Sequence, residues 1–186
     1  MSEEIHRIIR NILSDIRVEL SDEFDRNFER ESFFSEGWAR RKSPVRGGRS
    51  GHLLVDTGGL RQSIQSRSDE GSITFFSTVA YAGIHNEGGE IKVTAKMKRY
   101  FWARYYEATG GFGRRKDGSS RQNARNRRLT SEAEFWKLMA LMKVGSTVKI
   151  PRRRFLGSSP EVEKAVREII EENLRDYFVN EYTRKI

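Results

Sequence analysis

The three histidines of this sequence, His6, His52 and His85, are the side chains best suited to acid–base or metal chemistry. They lie far apart in the chain and form no HExxH motif or other spacing typical of a metal site. The chain contains no cysteine, which excludes disulfides, thiol nucleophiles and thiolate metal ligands. We therefore expect neither a metal nor a cofactor.

A serine hydrolase is the one catalytic arrangement worth weighing, because Asp56, Ser63 and His85 could supply a triad. No nucleophile-elbow pattern surrounds Ser63, however, and the short helix predicted there is a poor place for an activated hydroxyl. The paired glycines at 58–59 and 88–89 match no phosphate-binding motif and are typical of turns. We interpret His85 as a structural hydrogen-bonding residue, with a ligand or catalytic role as the alternative, and expect no enzymatic activity.

Positive charge is concentrated in two polar segments. Residues 37–51 hold five basic residues and no acidic one, and residues 109–130 hold seven basic residues against one acidic residue, Asp117. The two segments carry +5 and +6 within a chain of net charge +9, so the rest of the chain is close to neutral. Their Gly, Ser and Asn content predicts a flexible basic loop over 37–51 and a disordered basic tip over 109–130.

Hydrophobic periodicity predicts a long amphipathic helix at each end of the chain. The first covers residues 3–30, with Ser2 as its N-cap and an apolar stripe from Ile5 to Phe28. The last begins at Pro160 behind Ser159 as its N-cap. No segment approaches the roughly 18 apolar residues of a membrane span, and the acidic N-terminus lacks the apolar run of a signal peptide, so we expect a protein made in the cytoplasm and not bound to membranes.

The middle of the chain has the composition of short strands. Residues 64–67 and 72–79 predict a hairpin, and 90–94 and 146–150 predict two more strands. Asp56 or Thr57 is expected to cap a short helix that carries Leu60 and Ile64. We predict a single α+β domain over 1–186, in which the two long helices pack on one small, mostly antiparallel sheet.

A helical insertion is predicted over residues 95–145. Its first helix carries Met97, Phe101 and Tyr105 on one face, and a capping box at 131–134 is expected to begin the second, which Gly145 ends. The aromatic run at 100–106 is interleaved with arginine, which suits base stacking or a membrane surface as well as a protein contact. We favour packing on one face and a neighbouring subunit on the other.

The arginine triplet at 152–154 also allows two interpretations. Three guanidinium groups at the end of a strand could neutralise phosphates, or they could pair with acidic side chains of an adjacent copy. We favour the second. The interface candidates are Arg152, Arg153, Arg154, Tyr100, Trp102, Arg114, Arg115, Arg127 and Arg128.

Three short motifs occur in a fixed order: motif I is Asp56-Thr57-Gly58-Gly59-Leu60-Arg61-Gln62-Ser63-Ile64, motif II is Tyr81-Ala82-Gly83-Ile84-His85-Asn86-Glu87-Gly88-Gly89, and motif III is Ile150-Pro151-Arg152-Arg153-Arg154-Phe155-Leu156-Gly157. In this order and spacing they resemble the phage virion morphogenesis (tail-completion) family, over residues 54 to 178. The helical insertion is similar to that of Mu-like members from contractile-tailed phages or prophages. The motif positions carried over are Asp56, Thr57, Gly58, Leu60, Ser63, Ile64, Tyr81, Ile84, His85, Gly88, Gly89, Pro151, Phe155, Leu156 and Gly157.

The resemblance implies a virion structural protein, made in the bacterial host, that completes the tail and supports head–tail joining. Related proteins of the tail end and neck form rings, commonly hexameric, so the implied partners are copies of itself and tail tube, sheath or neck connector proteins. Within the motifs, we expect Leu60, Ile64, Tyr81, Ile84, Phe155 and Leu156 to form the core. The alternative is a nucleic-acid-binding module whose basic loops hold phosphates, and DNA in the neck would lie close to such loops.

Overall fold

The computed structural model describes residues 3–41, 43–44 and 51–184, with side chains described as far as residue 179. Ser2 and residues 42 and 45–50 of the predicted basic loop lie outside these residues. Six helices occur in the described part of the chain: α1 (Glu3–Arg30), α2 (Gly59–Gln62), α3 (Ala82–Glu87), α4 (Ala95–Gly110), α5 (Ala124–Leu141) and α6 (Pro160–Arg184). The strands are β1 (Ser32–Phe33), β2 (Glu36–Gly37), β3 (Ile64–Ser68), β4 (Ile73–Ser77), β5 (Gly89–Lys92) and β6 (Thr147–Ile150).

The α+β class is confirmed, and the strands form three separate antiparallel pairs, not one sheet. The pairs are β1–β2, β3–β4 and β5–β6, with registers such as Ile64 opposite Ser77 and Ile91 opposite Val148. The β5–β6 pair has no buried residue on either strand. A strand pair without a buried apolar face would gain little stability from joining a wider sheet. The packed helices, and not a continuous sheet, hold the molecule together.

Helices α1 and α6, which were predicted to pack on one sheet, pack against each other. Their contact forms one apolar cluster in which Ile16, Leu20 and Phe24 of α1 meet Val162 of α6. The Phe24 ring also meets Phe75 of β4 edge to face, at 5.1 Å between centroids. Ser159 caps α6 as expected, since its hydroxyl accepts a hydrogen bond from the Val162 amide at 3.3 Å.

A second apolar cluster lies at the other end of α1. It contains Phe28, Trp38, Leu53, Leu60, Ala82 and Phe155, and it therefore joins α1 to all three sequence motifs. Phe28 contacts both Trp38 and Phe155, at centroid distances of 5.6 and 5.2 Å. Burying aromatic rings contributes most of the stability of a core this small.

The short helix of motif I differs from its prediction. Helix α2 begins behind Gly58, whose φ is 83°, and no side chain caps it. Thr57 instead accepts a hydrogen bond from the Gly59 amide at 3.4 Å, which is a local turn and not a helix cap. Ile64 is the first residue of β3, so the expectation that it lies on the helix is wrong.

The second helix of the insertion begins earlier than predicted. Asn123 is the N-cap of α5, and its side chain accepts a hydrogen bond from the Asn126 amide at 2.8 Å. The prediction that a capping box at 131–134 begins this helix is therefore wrong. Ser131 lies inside the helix, and its hydroxyl bonds to the Arg127 carbonyl. Gly145 does not end this helix, which stops at Leu141; its φ of 89° serves the turn before β6.

The predicted basic tip over 109–130 includes the start of α5 and the loop before it. Residues 124–130 form the first two turns of α5, and the loop before them closes around the Asn126 side chain. That side chain accepts from the Gly113 amide and donates to the carbonyls of Gly113 and Arg121, at 2.9, 2.9 and 2.6 Å. The composition of the segment did not indicate this buried amide. Its hydrogen bonds hold the loop, which has too few apolar residues to be held by packing.

Candidate functional site

The three motifs meet in one region at the end of α1. Motif I contributes Leu60, motif II contributes Ala82 and motif III contributes Phe155, and all three side chains are buried in the same cluster. Ile64 and Leu156 pack against it and are partly buried. Tyr81 was predicted to lie in the core, but half of its surface is exposed. The smaller Ala82 takes the buried position. Ile84 is partly buried.

Asn86 of α3 joins motif II to motif III. Its Oδ1 atom accepts hydrogen bonds from the backbone amides of Phe155 and Leu156, both at 3.0 Å. Its Nδ2 atom donates to the Leu156 carbonyl at 3.0 Å. One side chain therefore forms hydrogen bonds with three backbone groups of an irregular segment. These groups have no partner in a strand or helix. Asn86 was not among the predicted motif positions.

Two residues from the N-terminal part of the chain also hold motif III. The buried side chain of Asn27 donates to the Phe155 carbonyl at 3.3 Å and accepts from the Phe34 amide at 3.2 Å. The Trp38 indole donates to the Arg154 carbonyl at 2.5 Å. The conformation of residues 153–156 is thus fixed by hydrogen bonds from both α1 and α3.

Glycines 88 and 89 allow motifs II and III to approach closely. Gly88 has a φ of 73°, and a Cβ atom there would lie 2.8 Å from the backbone nitrogen of Arg152. Gly89 has a φ of 150°, and its Cβ would lie 2.7 Å from Cδ1 of Ile84. The positive φ disfavours other residues at both positions, and at Gly88 the Arg152 backbone also leaves no room for a Cβ atom.

Arg153 lies inside the molecule, contrary to its prediction as an interface residue. It is 9% exposed, its amide donates to the His85 carbonyl at 2.8 Å, and its Nε atom donates to the Ala39 carbonyl at 2.9 Å. Burial, reinforced by the Arg41 guanidinium, lowers the pKa of Arg153. The residue therefore ties motif III to motif II and to the segment after β2.

His85 faces a cavity of about 390 Å³ that all three motifs line. Burial first, and then the Arg153 guanidinium, lower the pKa of His85. Its Nδ1 atom is buried without a hydrogen-bond partner in the described part of the chain. Among the described residues no carboxylate pairs with the imidazole to raise its pKa. The motif residues around the cavity are Asp56, Thr57, Gly59, Leu60, Tyr81, His85 and Arg153.

The serine of the hypothetical triad is engaged elsewhere. The Ser63 hydroxyl lies 2.6 Å from the Ser77 hydroxyl and donates to the Leu60 carbonyl at 2.7 Å. Ser63 is buried and is not part of the cavity lining, whereas Asp56 and His85 are. The structure therefore does not assemble these three residues into a triad. Ser63 instead links α2 to the β3–β4 hairpin.

A cluster of charges attaches motif I to α1. Arg61 donates to both carboxylate oxygens of Asp25 and to Oε1 of Glu29, the latter at 2.8 Å. These hydrogen bonds lower the pKa of Asp25 and raise that of Arg61. Such bidentate pairing is characteristic of arginine. The sequence shows two carboxylates, Asp25 and Glu29, one turn apart on α1. It does not show their partner, because Arg61 lies 36 residues after Asp25.

The remaining residues of motif III lie at the surface. Pro151 follows β6, as predicted, and Arg152 and Gly157 are exposed. Arg154 is partly buried, with its guanidinium 4.4 Å from the centre of the Phe33 ring and hydrogen-bonded to the Ser158 carbonyl. Of the three arginines of motif III, Arg152 alone is exposed.

The other interface candidates lie on the helical insertion. We call α4, α5 and the loop between them the arm. Within it, Phe101 stacks on Trp136 with centroids 5.8 Å apart, and Trp102 stacks on Tyr106 at 6.0 Å. Tyr100 is 55% exposed, and four basic candidates are exposed near the tip: Arg114, Arg115, Arg127 and Arg128.

Comparison with known protein families gives a match to the Phage virion morphogenesis family over residues 5–175, which is most of the chain. The chain belongs to this family. No curated protein and no solved structure gives a significant match. As a phage virion morphogenesis protein, it is a member of a tail-related structural family. Motifs II and III are hydrogen-bonded to each other, and all three motifs meet in one apolar cluster.

The described residues contain neither a metal site nor a membrane-spanning helix. Across the ranges that the structure describes, no group of three or more His, Asp or Glu side chains is arranged to hold a metal ion. None of the helices there has the length and apolar character needed to cross a bilayer.

Proposed function

We propose that this chain completes the phage tail at its head-proximal end by assembling into a homo-oligomeric ring, and that the ring supports joining of the tail to the head. The role is structural and not enzymatic. Membership of the virion morphogenesis family supports this proposal, and tail tube, sheath or neck connector proteins are its partners in addition to further copies of the chain.

The observation that carries the proposal is the arm. Helices α4 and α5 pack on each other, and in the described residues neither makes an extensive contact with another helix or strand. The arm nevertheless exposes large apolar side chains: Tyr100, Tyr106, Leu138 and Leu141 are between 55% and 69% exposed. An exposed apolar patch on a projecting element is typical of a surface that another protein covers.

The proposal is tested by measuring the mass of the purified chain by light scattering and imaging it by negative-stain microscopy, alone and with tail-tube protein. We expect closed rings or a ring on the tube end. In infected cells, phage lacking the gene should produce heads and tails that do not join. A chain that stays monomeric in both experiments, or a mutant phage with normal joined tails, contradicts the proposal.

A second candidate function rests on the tip of the arm. Arg114, Arg115 and Arg127 have no carboxylate within 4 Å among the described side chains, so the tip carries positive charge that the fold does not neutralise. Uncompensated arginines of this kind bind phosphates. The test is affinity for duplex DNA as a function of salt, with the seven basic residues of 109–130 replaced by Gln as the control. A flat salt response excludes DNA binding.

A further inference from the structure

Arg153 carries a buried positive charge that the fold leaves without a counter-charge. The residue is 9% exposed, yet it forms no ion pair with any described side chain. Its Nε atom donates to the Ala39 carbonyl, whereas neither of its terminal nitrogens, Nη1 and Nη2, donates to a described residue. Buried charges in proteins are normally paired, because removing an unpaired charge from water is costly. Since Arg153 also lines the cavity beside His85, this state indicates a place for an anion in that cavity.

The acidic residues nearest to Arg153 do not supply that anion. Burial lowers the pKa of Arg153 by more than Glu31, the one described carboxylate acting on it, raises it. Glu31 is itself engaged, because its Oε1 atom lies 3.4 Å from Nδ1 of His52. Asp56 lines the cavity, but it is exposed and forms no ion pair in the described part of the chain. Residues 37–51 contain no Asp or Glu. The counter-charge therefore has to come from another molecule.

The charges that line the cavity match a single negative charge. Arg41 and Arg153 contribute two positive charges and Asp56 contributes one negative charge, which leaves a net single positive charge. His85 adds none at neutral pH, because burial and then the Arg153 guanidinium lower its pKa. A carboxylate has one charge and two oxygens that match the paired donors of a guanidinium. A phosphate group carries about 1.5 to 2 negative charges and would be repelled more strongly by Asp56.

The rest of the cavity wall suits a carboxylate on a short apolar stem. Four aliphatic residues belong to the lining: Leu53, Leu54, Val55 and Leu60. Tyr81 adds a hydroxyl group, which is a neutral hydrogen-bond donor. The volume of about 390 Å³ admits a glutamate side chain or an organic acid of similar size.

We propose that this cavity is a binding site for a carboxylate group, with Arg153 as its principal contact and Asp56 as the residue that limits the charge it accepts. The carboxylate is that of a free organic acid or of an acidic side chain of a neighbouring protein, and the group that is bound is the same in both cases. The site does not depend on the ring of the proposed function, because one chain supplies the whole lining.

Titration with butyrate tests the site. The Nε–H group of Arg153, which the Ala39 carbonyl holds in place, reports binding through its chemical shift in proton–nitrogen spectra. We expect saturable binding of butyrate at roughly millimolar concentration, and none of butyramide, its neutral analogue of the same shape. Inorganic phosphate at the same ionic strength should bind about tenfold more weakly than butyrate.

Two variants test the assigned contacts. Arg153→Lys keeps the charge and loses the paired donors, so the affinity for butyrate should fall by about tenfold. Since Arg153 is buried and its replacement can unfold the chain, Asp56→Asn supplies a second test at an exposed position. Removing the charge of Asp56 should tighten butyrate binding by about threefold and phosphate binding by more. The matched control is Arg152→Gln, at an exposed position outside the cavity lining, and it should change neither affinity.

The outcomes separate the site from its alternatives. Absence of saturable butyrate binding, or equal binding of butyramide, means that the cavity holds water only and overturns the inference. Phosphate that binds as tightly as butyrate overturns the choice of a carboxylate. A large loss of stability in Asp56→Asn without added ligand would mean that Asp56 itself neutralises Arg153, which also overturns it. A glutamate residue blocked at both backbone ends distinguishes the two sources: tighter binding than butyrate assigns the site to a protein side chain, and equal or weaker binding assigns it to a free acid.

Discussion

The side chain of Asn86 and the backbone of Phe155 are joined by a hydrogen bond of 3.0 Å, across 69 residues of sequence. The same oxygen accepts from Leu156, so one amide group holds the turn that buries the Phe155 ring. Packing and polar satisfaction are therefore coupled at this point, because the ring can remain buried only while Asn86 holds the backbone behind it.

Replacing Asn86 by Leu should cost about 2–4 kcal/mol of unfolding free energy, because two amides and a carbonyl of a partly buried segment lose their partner. Asn86→Asp keeps the acceptor oxygen and loses the hydrogen bond donated to the Leu156 carbonyl. Its unfolding free energy should therefore lie between those of the wild type and Asn86→Leu. Urea unfolding followed by tryptophan fluorescence measures both. Asn11→Leu, on the exposed side of α1, is the control; an equal loss there would contradict the assignment.

Gly88→Ala should destabilise the protein by about 1–3 kcal/mol, since the residue combines a positive φ with a backbone nitrogen 2.8 Å from the added carbon. Gly83→Ala, inside helix α3, which Gly88 follows, is a matched control, because a Cβ there meets nothing within 4 Å. That change should be neutral or slightly stabilising, as alanine favours the helix. Thermal unfolding of the two variants in parallel tests the difference; similar melting temperatures would refute it.

Stability should fall on mild acidification in a manner that depends on His85. Its pKa in the folded protein lies below the usual value of about 6.5. Between the two values the unfolded chain binds more protons, so folding stability is complete above about pH 6.5 and declines as pH falls through the folded pKa. His85→Gln should flatten this decline in urea titrations between about pH 7.5 and 5. Unchanged pH dependence in the variant would disprove the role of His85.

The tip of the arm should become sensitive to trypsin when Asn126 is replaced by Ala. Three hydrogen bonds of that buried amide hold residues 113 and 121, and the loop between them is rich in arginine. We expect faster cleavage within 114–121 at unchanged stability of the body. Gln122→Ala, at an exposed position in the same loop, is the control. Equal cleavage rates in the wild type and Asn126→Ala would mean that the loop is open already.

The elements with strong local signals were predicted correctly. Helix α1 has a long apolar period, and α6 has the Ser159–Pro160 start, so their own residues determine them. The β3–β4 hairpin and the turn at Gly88 and Gly89 were likewise predicted from local composition. The family resemblance was confirmed over most of the chain.

What the sequence did not reveal depends on distant partners. Asn86 looked like a variable position within motif II because its three hydrogen bonds go to residues about 70 positions away. Arg153 looked like a surface charge because the carbonyls that hold it belong to Ala39 and His85. Tyr81 was expected in the core on hydrophobicity alone, whereas Ala82 fits the space that the packing leaves.

The hydrogen bond from Asn27 to Phe155 spans 128 residues, and that from Trp38 to Arg154 spans 116. During translation, α1 and motif I therefore leave the ribosome long before the segment that closes the cluster around Phe28 exists. A nascent chain released within the arm would keep an open, apolar end that chaperones or proteases recognise. Copies that end before motif III should therefore be unstable.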